Sequence, residues 1–341
     1  MRPLRAALAL VLGLAGVAVA APAASAIDEG SSVDLAIAVP IVVGPGSTGL
    51  ISADELEAYT RPLGELTRQL DAVIDRPVAI AIDPMIIVSI RILGTSAPET
   101  ATAWLERLGS ASNETFALGY ADTDATLATQ AGSPRVLAPQ SFDFAIDPAL
   151  FAPPSDETAT PTPDSTEPPD EPVTPELPTS DDLMAWPYTF DSLGWPRGNT
   201  AVAGDMPALA ATWESVILSS GNVARPGSAS SVVKVGGLKA LVSDDAISTA
   251  LGAAVSAPSP ADWTTAMGAL AESLSAAARV QSGTATVLAT LDRGLLASSD
   301  LVGETLDTQY LQPSLPAGGE DVLELLPRFK GRQVQPRILV D

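Results

Sequence analysis

The chain is built from short runs of β-branched and small apolar residues, most of them followed by a longer stretch in which apolar positions return every three or four residues. Residues 33–43 (VDLAIAVPIVV) are apolar almost throughout, which predicts a strand buried on both faces. Over residues 52–74, Leu56, Tyr59, Leu63, Leu66, Leu70 and Val73 recur at helical spacing. Ser52 with Glu55 three residues later has the form of a capping box and sets the start of that helix. Pro62 inside the pattern predicts a kink or a division. Next come a strand over 78–82 (VAIAI), a helix over 98–108 and a strand over 115–120 (TFALGY). A short helix over 124–131 and a minimal strand over 135–137 complete the first half.

The pattern stops at residues 151–182, which hold nine prolines, nine acids and no basic residue. A segment with so little to bury cannot repay its ordering entropy, so it reads as a disordered acidic Pro-rich insertion. The alternation resumes with strands over 189–195 and 215–219 (SVILS) and a helix over 206–213 between them. A strand over 238–242 then precedes helices over 244–255 and 262–279, and a strand over 284–291 precedes a helix over 301–311. Seven or eight such repeats with continuously apolar strands predict an α/β fold with parallel strands covered by helices, closed as a (β/α)7–8 barrel in preference to an open sheet. The expected parts are 27–150 and 183–312 as the two portions of one barrel, and 313–341 as a tail in which a further domain could begin.

Ahead of the first strand, residues 1–26 have the three parts of a secretory signal peptide. Arg2 and Arg5 supply the positive end, residues 6–20 form an apolar run, and Ala24-Ser25-Ala26 is a cleavage site for small residues. The apolar run falls short of the roughly 20 residues that span a bilayer. Export is therefore expected, to the cell envelope or beyond, with membrane attachment only through an anchor lying beyond residue 341.

Composition narrows the chemistry. The formal net charge is −23, and loss of the leader with its two arginines makes it more negative still. Such a surface repels phosphate backbones, so nucleic acid is excluded as a partner. There is no cysteine, so stability rests on a core drawn from the 46% of apolar residues. There is no histidine either, which excludes Ser-His-Asp and Cys-His nucleophilic machinery and His-ligated zinc or iron. Gly-rich nucleotide-binding patterns are absent, and no cofactor or metal is expected.

In a (β/α) barrel the site lies beyond the C-terminal ends of the strands. Those ends carry Asp83 (AIAIDP), Asp122 and Asp124 (GYADTD), Trp195 (LGWP), Ser219, Ser220 and Asn222 (LSSGN), Asp244 and Asp245 (LVSDD), and Asp292 with Arg293 (LDR). Asp83, Asp122, Asp244 and Asp292 are the candidate catalytic residues, because two facing carboxyls can act as acid and base on a glycosidic bond. Arg91, Asp124, Trp195 and Asn222 are the candidate ligand-binding residues, an indole face being suited to stacking on a sugar ring. Each aspartate has a structural alternative as a helix N-cap, with Asp83-Pro84 the clearest case and Asp122 too early for the role. Arg91, set in the apolar run IIVSIRILG, needs a partner such as Asp83 or Asp122.

Taken together, the strings IAIDPMIIVSIRILG, TAWLERL, NETFALGYADTDATLATQAG, LGWP, VILSSGNV and LVSDDAIS resemble the DUF6049 family of actinobacterial envelope proteins. That resemblance implies a signal peptide, a barrel region similar to glycoside hydrolases and deacetylases, later β-rich segments and a C-terminal membrane anchor. It supplies no catalytic residues, and the Asp-His-His metal site of the deacetylases has no counterpart in a histidine-free chain. Two functions follow as expectations: a non-catalytic barrel that binds cell-wall glycan or an envelope protein, or a hydrolase or lyase working through paired aspartates.

Overall fold

A computed structural model of the protein describes residues 32–44, 48–152, 176–223, 231–280, 284–295 and 305–306. The predicted leader, most of the acidic Pro-rich segment, the predicted helix over 301–311 apart from Thr305 and Leu306, and the tail lie outside the described residues.

The apolar run at the start of the barrel forms β1 (Ser32–Ile41). The predicted long helix is divided at Pro62 into α1 (Ala53–Thr60) and α2 (Glu65–Val73). Ser52 caps α1 as expected: its side chain accepts from Glu55 N while the Glu55 carboxylate accepts from Ser52 N at 3.0 Å. There follow β2 (Ala79–Ile82), α3 (Pro84–Ile92), α4 (Glu99–Ser110), β3 (Thr115–Ala117) and α5 (Ala125–Gln130). Residues 176–182, the described end of the acidic segment, lead into a short α6 (Ser180–Met184) whose start is capped by Thr179. The second half comprises β4 (Leu193–Gly194), α7 (Met206–Thr212), β5 (Ser215–Ser219), β6 (Val232–Val235), β7 (Leu238–Ser243), α8 (Asp245–Val255), α9 (Pro260–Val280) and β8 (Thr284–Thr290).

The sheet runs in the order β3-β2-β1-β8-β7-β5-β4, with every pair along it parallel. A parallel bridge from Phe116 of β3 to Phe190, just ahead of β4, brings the two edges together in a nearly closed barrel of seven parallel strands. The prediction of helix-covered parallel strands is met. β1 shows how alternation builds two cores from one strand. Leu35, Ile37, Val39 and Ile41 pack outward in the large cluster that includes Leu56, Leu66 and Leu70 of the surrounding helices. Ala38 and Val42, on the opposite face, join Ala81, Phe116, Trp195 and Ile217 in the barrel interior. Each fully buried Leu or Ile of the outer layer contributes roughly 1.5–3 kcal/mol.

The predicted strands over 115–120 and 189–195 are shortened to Thr115–Ala117 and Leu193–Gly194, and four further local features depart from the pattern read along the chain. Residues 135–137 form no strand, because this short polar-flanked run finds no partner in the sheet. Residues 84–92 form α3, whose first turn is set by Asp83 and Pro84; seven of its nine residues are buried, so no polar stripe betrays its period. The third is α6, too short to show a period. The fourth is β6, which turns back through Gly236 (φ 59°) and Gly237 (φ 88°) to pair antiparallel with β7. β5 already occupies one edge of β7 from Lys239 to Ser243, so β6 takes the other. Consequently β7 meets β8 only at Ser243 and Leu288, and the barrel is spread at the N-terminal end of that seam.

Candidate functional site

The chain leaves β2 through Asp83 and β3 through the turn Tyr120-Ala121-Asp122, and these two exits are tied together. Asp83 is fully buried; its Oδ1 accepts from Met85 N, capping α3, and from Ala121 N, both at 2.9 Å. Its Oδ2 is buried with no hydrogen-bond partner among the described residues. Burial, reinforced by the nearby Asp122 charge and opposed by those amide bonds, pushes the Asp83 carboxyl up to about 7. Ala121 and Asp122 both have positive φ, 55° and 46°, a conformation that costs non-glycine residues free energy and that Asp83 helps to hold.

This turn presents Asp122 to two arginines. Arg293 Nε donates to Asp122 Oδ1 at 2.6 Å and Arg197 Nη2 to Asp122 Oδ2 at 2.8 Å. The Asp122 and Arg293 side chains are only 9% and 11% exposed, whereas Arg197 is 50% exposed. The inner pair is therefore the structural one: removing one member of a buried ion pair costs about 3–5 kcal/mol, against under about 1 kcal/mol for an exposed one. Arg293 also donates to the Trp195 carbonyl at 2.7 Å and lies over the Trp195 ring, its guanidinium carbon 4.6 Å from the centroid. Burial lowers the Arg293 pKa, and Asp122 offsets that effect only in part.

Above these residues, at the C-terminal ends of β4, β5, β7 and β8, opens a cleft of about 400 Å³. Trp195, Arg197, Asn222, Asp245, Asp292 and Arg293 are among the residues lining it, with Ser219, Ser243, Ser248 and Thr290 adding hydroxyls. Asp245 accepts a hydrogen bond from Ser219 Oγ and another from Gly221 N at 2.9 Å. The Asp292 carboxylate makes no hydrogen bond or ion pair among the described residues. Asn222 donates through Nδ2 to the Ala201 carbonyl at 3.0 Å, leaving its Oδ1 for another donor.

The residues singled out in the sequence therefore separate. Asp292, Trp195 and Asn222 share the cleft, and Asp122 reaches it through its two arginines. Asp83 is sealed beneath. Asp124 caps α5, its Oδ1 accepting from Thr126 N at 3.0 Å, and Asp244 caps α8, accepting from Ala246 N and Ile247 N. Arg91 lies outside the cleft and pairs with neither Asp83 nor Asp122. Its Nη1 donates to the carbonyls of Asp182, Leu183 and Ala185 at the end of α6, and its guanidinium lies 5.8 Å from the Trp186 ring. Carbonyls at a helix C-terminus carry partial negative charge, so α6 supplies the partner that sequence alone assigned to a carboxylate. Arg197 is the residue that sequence reading missed; its signal is a lone cation after LGWP.

Among the described residues no cluster of three acidic side chains is placed to hold a metal ion. No helix among the described residues is long and apolar enough to cross a membrane. No protein-family model matches the sequence, and no curated protein or solved structure was found to be similar to it.

Proposed function

We propose that the protein is an exported component of the cell envelope whose barrel rim binds a cell-wall glycan without cleaving it. The observation that carries this reading is the commitment of every rim carboxylate named above except Asp292 to structure. Asp83 is buried, Asp122 is neutralised by Arg197 and Arg293, Asp124 and Asp244 cap helices, and Asp245 is held by Ser219 Oγ and Gly221 N, while the cleft offers hydroxyls, an amide and guanidinium groups around the Asp292 carboxylate, which is unpaired among the described residues. Such a lining suits a polyhydroxylated ligand, which needs many neutral and charge-assisted hydrogen bonds and no single reactive group. The predicted leader supports the location, and the resemblance to the DUF6049 envelope proteins supports a role in cell-wall assembly. A second reading rests on one fact: Asp245 and Asp292 line the same cleft, so a histidine-free glycosidase would have to work through them.

Incubation of the purified mature chain with peptidoglycan and with arabinogalactan, scoring retention and released sugars, separates the two. Binding predicts retention without release, weakened at least tenfold by Asn222→Ala or Asp292→Ala with folding unchanged. Release of sugar that disappears in both Asp245→Asn and Asp292→Asn would establish catalysis instead, and absence of retention would remove the glycan reading.

A further inference from the structure

The opposite end of the barrel holds a second cavity that the glycan reading does not use. Barrel interiors of this class are ordinarily filled by layers of bulky branched side chains. In this chain four inward positions of β1 and β2 are alanines, Ala36, Ala38, Ala79 and Ala81, and the interior is correspondingly under-filled. A cavity of about 400 Å³ results, bounded by those first three alanines together with Phe116, Ile217 and Leu241. Leu241, Leu288 and Phe190 belong to the interior cluster yet are only partly buried, so apolar surface is left unmatched inside the barrel. The β6 hairpin, which parts β7 from β8 below Ser243, keeps this end wide.

The mouth lies where the strands begin, and its charges are unequal. Glu114 precedes β3, Asp191 precedes β4 and Glu214 precedes β5, against one cation, Lys239 of β7. Glu114 is half-buried, and its carboxylate has no hydrogen bond or ion pair among the described residues. Desolvation alone raises it to about 7, so Lys239 does not supply its counter-charge. Phe116 and Phe190 flank the same space, and aromatic faces attract a cation that has shed water.

We propose that this lower chamber binds a small amphiphile, its apolar part against the alanine-lined wall and a cationic head group at Glu114. The volume lies within the range of small-molecule sites. An ammonium group there gives Glu114 the partner that the protein withholds, while the wall accepts a chain of a few carbons. Because the chamber and the cleft lie at opposite ends of the strands, this site stands or falls independently of glycan binding.

Titration of the full chain with octyltrimethylammonium, octanol and octyl sulfate, followed by calorimetry, tests it. The ammonium compound is expected to bind saturably and about tenfold or more tightly than the sulfate. Glu114→Gln should remove that preference while leaving octanol binding unchanged. Ala79→Leu, or Ala36→Leu where the first variant does not fold, should fill the chamber and abolish binding of all three without lowering the melting temperature. No saturable binding, as expected if another part of the chain occupies the chamber, would overturn the proposal. So would equal affinity for ammonium and sulfate, or binding that survives both filling variants.

Discussion

At the scale of single residues, Asp83 has two roles that oppose each other in its ionisation. Accepting from Met85 N and Ala121 N favours the carboxylate, but complete burial with an unpartnered Oδ2 disfavours it more, and the carboxyl is held at about 7 against 3.8 for a free aspartate. The folded state therefore binds the proton more tightly than the unfolded state. The stability this contributes is complete below about pH 4 and is lost as pH rises through about 7. Asp83→Asn keeps the Oδ1 acceptor and cannot ionise. Urea denaturation from pH 4 to 8 should show the wild type losing stability relative to this variant, by on the order of a few kcal/mol across the range. A constant difference between the two would show that Asp83 is ionised throughout. The capping half of this arrangement was legible in the sequence, as it was for Asp124 and Asp244, because a cap joins residues two or three apart. The ion-pair half was not. Asp122 is 75 residues from Arg197 and 171 from Arg293, and nothing in local spacing encodes that meeting. Arg91 misled for the same reason, since its carbonyl acceptors lie more than 90 residues away, in an element too short to be foreseen.

At the scale of elements, those with a helical period or a short apolar run between turns were readable, and the others were not. The capping box of α1, the division at Pro62 and the strands β1, β2, β5, β7 and β8 all follow from local pattern. α3 carries no polar face, and β6 exists because a glycine turn folds it onto an edge that the tertiary structure leaves open. The most delicate element is β4, two residues long, which joins β5 on one side and, through Phe190 just before it, β3 on the other. Its Gly194 lies against the ring of Trp213, and a methyl group at that position would overlap the indole. Gly194→Ala should accordingly displace Trp213 and weaken the closure of the barrel, costing about 1–3 kcal/mol in chemical denaturation with a shift in tryptophan emission. Gly198→Ala is the control: a methyl there meets nothing within 4 Å and its φ is not positive, so stability should change by less than about 0.5 kcal/mol.

At the scale of the whole molecule, the two halves flanking the acidic segment are parts of one barrel. β1, β2 and β3 come from the first half, and their outer edges are completed only from the second. β1 pairs with β8 over seven positions, from Ser32 opposite Thr284 to Ala38 opposite Thr290. β3 meets Phe190, and Arg293, following β8, grips Asp122, following β3. The core is divided in the same way: the large outer cluster takes Leu56, Leu66 and Ile82 from the first half and Leu251, Val287 and Leu291 from the second. A first-half fragment would expose both edges of a three-stranded sheet and much of that cluster, with no cysteine to staple it. Residues 27–150 expressed alone should therefore show no cooperative unfolding transition, and residues 176–312 alone should behave likewise. The intact chain should unfold in a single transition when followed by both circular dichroism and tryptophan fluorescence. Mixing the two fragments should restore much of the helical signal, because the pairings between them are parallel ladders whose register is set by side-chain alternation and not by the covalent link. Independent melting of either fragment would instead mean that the barrel is two domains resting against each other.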